Sequence, residues 1–302
     1  MMKKVTLCLL ASIFALSTIG APISANESRT DLTNNVVDSA PIIGDFVYDS
    51  DYALLVADKE RLMEEYFEAT RKNNESLAAS LLNEFAEKYT SSVGSQSRVS
   101  VQNSSGVPAK ISASYGSVPI TQVPQQNGFY CGYAAIKSLL DAQGVIKSQD
   151  TIAGEVHSTS IACPWYLSNG NSSSQFPAVT YLNQESGHIY VPFPYGVADT
   201  TTITASDVKS RVRFTIGYGH GVLVCGRSYG NVPGHASILP GYPSQEIGHW
   251  VVLSAFTNDA EYINIVDPAK SSAVSWSGSI SSSYYVAASK LAAYASARGI
   301  IW

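Results

Sequence analysis

An α+β fold is predicted for this chain of 302 residues from three observations. An acidic stretch behind an apolar leader carries apolar residues at helical spacing. From Val107 onwards the charge thins, and Val, Ile and Tyr accumulate between Gly and Pro punctuation, an α+β or mostly β composition. Inside that second part, an Ala-rich helical segment follows a tight turn. With 45% apolar and 14% charged residues, the chain can bury a sizeable core, which excludes wholesale disorder. A formal charge of −5 argues against a general nucleic-acid binder, which would present a basic face. Behind the extreme N-terminus, no apolar run approaches the roughly 18 residues that span a bilayer.

Residues 1–25 read as an export signal. Lys3 and Lys4 supply a positive start, Val5 to Leu16 an apolar run, Pro22 a helix break, and Ile23-Ser24-Ala25 a small residue at the cut. Cleavage after Ala21 is the competing site. The expected mature protein is secreted, extracellular or wall-associated, with no membrane span once the signal is removed. Of the four cysteines, Cys8 lies in the signal, which leaves Cys131, Cys163 and Cys225. An odd number outside the cell marks one thiol as unpaired or special. Cys163 and Cys225 are equally a disulfide or two buried thiols.

Charge divides the rest. Residues 26–106 hold 14 acids and 7 bases, whereas 107–302 hold 10 of each. Residues 26–90 form an acidic helical segment, in which Tyr52 to Thr70 and Ser76 to Tyr89 read as amphipathic helices. Leu62, Met63, Tyr66 and Phe67 line one face, and Leu77, Leu81, Phe85 and Tyr89 the other. Asn73-Asn74 is the turn between them. Residues 91–106, rich in Ser, Gln, Asn and Gly, read as a linker, and 107–302 as the main domain.

The most informative stretch runs from Val123 to Leu140. Pro124 and Asn127-Gly128 form turns, and Ala134 to Ala142 is a good helix with Ala135, Ile136, Leu139 and Leu140 on its apolar side. Cys131 then falls in the first helical turn, where exposed N–H groups and the helix dipole favour an anion. A thiol there should ionise more readily and be more nucleophilic. Gly132 would let the backbone approach a substrate. Gln125, or alternatively Gln126, could add a side-chain amide to the Cys131 N–H as an oxyanion donor. Taken alone, Cys131 is as readily a small buried helix residue.

A base is the missing partner. Gly248-His249-Trp250 leads into the apolar run Val251 to Phe256; Thr257 to Ala260 signals a turn; Tyr262 to Val266 alternates as a second strand, ending at Asp267-Pro268. A hairpin centred near Asn258 would set His249 and Asp267 at the same end of adjacent strands, to within a residue or two. Asp267 could then hold the imidazole in one tautomer and orientation.

These residues resemble the C39-like cysteine peptidases of the papain-like superfamily: Gln125 and Cys131-Gly132 at a helix start, Gly248-His249-Trp250-Val-Val, and Val266-Asp267-Pro268. Weaker likenesses are Thr151-Ile-Ala153, Tyr181-Leu-Asn183 and Tyr190. The resemblance spans roughly Val118 to Ala288, and departs from the pattern at Tyr133, where Pro is common. It implies a papain-like fold, with the nucleophile at a helix N-terminus packed against an antiparallel sheet. It implies Cys131 as nucleophile, His249 as base and acid, Asp267 as its orienter and Gln125 as oxyanion donor. The reaction would be hydrolysis of a peptide or protein substrate through a thioester, with no cofactor. Residues 26–106 would be a propeptide over the cleft, a permanent module or a partner surface. The rivals are a peptidoglycan amidase or endopeptidase and an inactive papain-like binding protein.

Other motifs carry less. There is no metal-binding His-Glu-x-x-His or Cys-x-x-Cys pattern. Gly217-Tyr-Gly-His-Gly221 reads as a turn rather than a phosphate loop. Lys209, Arg211 and Arg213 alternate as on one strand face, solvated or touching an acidic substrate or the acidic segment. Substrate pockets are expected from the loops Cys163 to Pro177 and Tyr229 to Ile247.

Overall fold

The computed structural model describes residues 50–89, 114–157, 162–167, 176–195 and 202–302. The expected signal, the start of the acidic segment and the linker 91–106 lie outside the described residues. Among the described residues, no helix is long and apolar enough to cross a membrane.

Helices α1 (Ser50–Arg71) and α2 (Glu75–Tyr89) pair side by side. Asn73 adopts the left-handed conformation that asparagine tolerates, φ 54°. Asn74 then caps α2, its side-chain oxygen accepting the Leu77 N–H at 3.1 Å. Leu62, Met63, Tyr66, Leu81, Phe85 and Tyr89 are buried as their spacing predicts, but Leu77 is 46% exposed. An i, i+4 stripe drifts about 40° per step around a helix. From Leu77 to Tyr89 it wraps off the buried face, and Leu82 completes that face instead.

Among the described residues, the main domain holds a seven-stranded sheet with helices on both faces. Its strands are β1 (Gly116–Ser117), β2 (Pro192–Phe193), β3 (Val222–Tyr229), β4 (Glu246–Thr257), β5 (Tyr262–Val266), β6 (Ser283–Ala287) and β7 (Gly299–Ile301). Their order is β2-β7-β3-β4-β5-β6, with β1 also on β4 and every pairing antiparallel. Helices α3 (Cys131–Asp141), α4 (Gln149–Val156) and α5 (Pro177–Glu185) share one core with Leu223, Cys225, Trp250, Val252 and Ile301. Helices α1, α2, α6 (Ala205–Gly217) and α7 (Ala288–Ala295) share the other with Val222, Val224, Val251, Leu253 and Ile265. Central β4 therefore reads as an unbroken apolar run, because both of its faces are covered.

The basic alternation at Lys209 to Arg213 belongs to helix α6, which corrects the strand reading. A capping box starts the helix: the Thr204 hydroxyl accepts the Asp207 N–H, and the Asp207 carboxylate accepts the Thr204 N–H. On a helix, residues two apart point to different sides. Lys209 pairs with Glu261 outside, while Arg211 turns inward to Glu60 of α1 at 2.6 Å. Gly217 closes this helix and residues 218–221 turn the chain into β3.

Lysine 59 of α1 is wholly buried. Its ammonium donates to the carbonyls of Ile189 and Trp302, both at 2.7 Å, and lies 3.3 Å from His188 Nε2. Phe85, Tyr89 and Trp302 rings surround it. The helical pair is thus keyed into the face of the sheet opposite α3, sharing its core with Phe214, Ile216 and Trp302.

Candidate active site

Helix α3 begins at Cys131, and no side chain caps it. The first helical N–H groups have no intrahelical acceptor, so they remain available to a negative charge at the thiol or beside it. Cys131 is 4% exposed. Gly132 has a packing role at the helix start. A Cβ there would lie 2.2 Å from Cys163 Cβ and 3.1 Å from Trp250 Cδ1. Only glycine lets the helix start settle against β4 at this point. Cys131, Cys163 and Cys225 are all buried and none is in a disulfide, which resolves the second pair in favour of buried thiols.

The β4–β5 hairpin forms as expected, turning through Asn258, Asp259 and Ala260, all at positive φ. Its register differs from the simple estimate. Pairing runs from Thr257 opposite Tyr262 to Val252 opposite Val266, shifted by a bulge between Leu253 and Ala255. Extended to His249, that register makes Asp267 a diagonal neighbour rather than the direct partner. The side chains still meet: His249 Nε2 lies 2.9 Å from Asp267 Oδ1, both residues being buried. The Cys131 side chain is near enough to the ring to act on its charge. With Nε2 engaged by the carboxylate, Nδ1 is the nitrogen left for the thiol.

Electrostatics follow from these neighbours. Burial alone pushes the imidazole down, but the Cys131 side chain and then the Asp267 carboxylate overcome it, raising His249 to about 10. Burial likewise pushes Asp267 up. The His249 charge and the donors around the carboxylate reverse this and hold it below the ordinary carboxylate range. Oδ1 accepts from the Ala269 N–H at 2.9 Å, and Oδ2 from the Tyr242 and Tyr284 hydroxyls at 3.0 and 2.7 Å. Tyr294 of α7 donates its hydroxyl to the His249 carbonyl, passing over Gly226, where a Cβ would lie 2.3 Å from its ring. The Trp276 ring stands edge-on to His249 at 6.1 Å.

Gln125 is 2% exposed and precedes Cys131 in the entering loop. Its Nε2 donates to the Asn127 carbonyl at 2.8 Å, and its Oε1 is buried with no hydrogen-bond partner among the described residues. Gln126, the alternative donor, is exposed, and its amide bonds Asp150 at 2.6 Å. A strap after β5 ties the Gln125 loop to the aspartate. The Gln125 N–H donates to the Pro268 carbonyl at 3.0 Å, and the Ser271 hydroxyl to the Gln125 carbonyl. Gln122 Nε2 donates to the carbonyls of Asp267 and Lys270, both at 3.0 Å.

The four expected residues thus sit on two joined units, Gln125 and Cys131 on one and His249 and Asp267 on the other. Sequence reasoning missed Tyr242, Tyr284, Tyr294, Trp276, Gln122 and Ser271. Only Tyr242 lay in a loop expected to line the site. The others carry no local signature, since tyrosine in a strand or serine in a loop is ordinary. No curated protein matches this chain in sequence. The family model of the Peptidase_C39 like family matches residues 117–293. That span covers more than half of the chain and contains the helix-borne cysteine, the histidine and the buried aspartate, so the chain belongs to the Peptidase_C39 like family.

Proposed function

We propose that the protein is a secreted cysteine peptidase that hydrolyses peptide bonds through Cys131, His249 and Asp267. The observation that carries this reading is the single line of contacts from the first residue of an uncapped helix, through a buried imidazole, to a buried carboxylate. The Cys131 thiolate attacks the substrate carbonyl. The Cys131 N–H and the second N–H of Gln125 Nε2 receive the oxyanion. His249, protonated by its ion pair, gives its proton to the leaving amine, which departs and leaves a thioester on Cys131. His249 then takes a proton from water, hydroxide adds to the thioester, and the acid product and thiolate are released.

The same reading takes residues 1–25 as an export signal and 107–302 as the catalytic domain. It treats the helical pair as a fixed part of the fold rather than a removable propeptide, supported by the burial of Lys59 and by the shared core.

The test is iodoacetamide labelling of the mature protein from pH 4 to 9 with peptide mapping, alongside cleavage of a peptide library. The expected result is fast labelling confined to Cys131 that slows in His249→Ala, and cleavage that is lost in Cys131→Ser. Equal labelling in wild type and His249→Ala, with no cleavage, overturns the reading. Gln125→Ala should lower kcat by roughly 100-fold while Gln126→Ala leaves it unchanged.

A further inference from the structure

The geometry points to Tyr242 and Tyr284 as a pair of positioning residues that clamp the Asp267 carboxylate and through it set the His249 ring. The inference rests on the triad reading above, and it concerns how that triad is held.

The clamp is visible in how the carboxylate is filled. An ionised carboxylate offers about four acceptor positions. Here all four are taken by donors: His249 Nε2 and the Ala269 N–H on Oδ1, and the Tyr242 and Tyr284 hydroxyls on Oδ2. The donors come from separate parts of the chain. Tyr242 stands in the loop between β3 and β4, Tyr284 in β6, and Ala269 in the strap after β5. Asp267 itself is wholly buried, so no water competes for these positions.

Two consequences follow. Rotation of the carboxylate about its last bond would break both phenol contacts together, so the plane of the group is fixed, and with it the direction from which Nε2 is held. Both phenols also favour the charged form, because a hydroxyl donates to a carboxylate more strongly than to a neutral acid. Neither tyrosine is within hydrogen-bond range of the thiol in any contact described above. They act through Asp267, which distinguishes them from catalytic residues.

The test compares Tyr242→Phe, Tyr284→Phe and the double variant with wild type, each ring being kept so that packing is preserved. Three quantities are read: the Asp267 carboxyl titration by carbon NMR, kcat and KM separately, and the melting temperature. The expected result is an upward movement of the Asp267 titration in each single variant, larger in the double. It comes with a roughly tenfold loss of kcat per hydroxyl at nearly constant KM. In an Asp267→Asn background the same tyrosine changes should have no further effect on kcat, because the group they hold is gone. An unmoved titration in the double variant overturns the clamp, as does a kcat loss that persists undiminished in the Asp267→Asn background. If wild type cleaves no peptide and its Cys131 is not activated, the peptidase reading fails. The titration then decides the clamp by itself.

Discussion

Two parts of this molecule bury histidine and treat it in opposite ways. At one end of β4, His249 is 2% exposed, and its neighbours Cys131 and Asp267 raise it to about 10. On the far side of the fold His188 is 1% exposed and is pushed well below its ordinary value, first by burial and then by the charges of Lys59 and His220. His220 stacks on it with ring centroids 4.3 Å apart and falls to about 4. Lys59 is also driven far below the usual lysine range, by burial and by Arg211. The difference is the sign of the company. A buried base beside a carboxylate keeps its proton, and one among other bases gives it up. The first arrangement suits proton transfer. The second is a structural plug that joins the helical pair to the domain through Lys59 and the carbonyls of Ile189 and Trp302.

Removing the carboxylate should break the contrast most severely. Asp267→Asn is expected to lower peptide cleavage by roughly 1,000-fold or more. It should also bring the His249 titration down towards its buried counterparts, as imidazole NMR would show. A protein whose His249 titration is unmoved by this change does not owe its charge to Asp267. Cys131→Ser removes the thiol on the other side of the ring. It should abolish turnover and lower the His249 titration with no loss of fold.

Acidity offers a second way to separate the regions. For His249 the folded value lies above 6.5. Its contribution to stability is full below pH 6.5 and is lost as pH rises towards 10. For His220 the folded value lies below 6.5. The unfolded chain takes that proton first, so stability is full above pH 6.5 and erodes as pH falls towards 4. Melting temperatures across pH should therefore lose their alkaline fall in His249→Ala and keep the acid one. The alkaline limb of kcat/KM is expected near pH 10, where His249 loses its proton.

Lys59→Met should have the smallest effect on chemistry. It strips two buried carbonyls of their donor, which costs about 2 kcal/mol by urea denaturation. It also lets the His188 and His220 titrations rise by removing a neighbouring charge. Cys131 labelling should stay as in wild type. A loss of labelling would show that the helical pair supports the site rather than only the fold.

The contrast also shows what was legible beforehand. Cys131 could be placed at a helix start because turn formers and an Ala-rich run are local signals. The His249–Asp267 pairing followed from strand, turn and strand, even though the bulge at β4 moved the register. Helix α6 was misread because Arg211 and Arg213 alternate with Val212 and Phe214. The Thr204-x-x-Asp207 cap was the stronger signal and outweighs that short alternation. Leu77 was assigned to a buried stripe that in fact curls away from the core.

The sequence by itself determined the family of the molecule, the position of Cys131 at a helix start and the strand-turn-strand that carries His249 and Asp267. Each of these depends on neighbours a few residues apart, whose spacing and turn chemistry are written in the chain. Only the tertiary structure decided how the His249 ring is held. Tyr242, Tyr284, Tyr294 and Ser271 converge from a loop, a strand, a helix and a strap. It alone placed Lys59, more than 100 residues from its partners, inside the core. Long-range contacts of this kind are fixed by how the elements pack, and no local pattern of residue types encodes them.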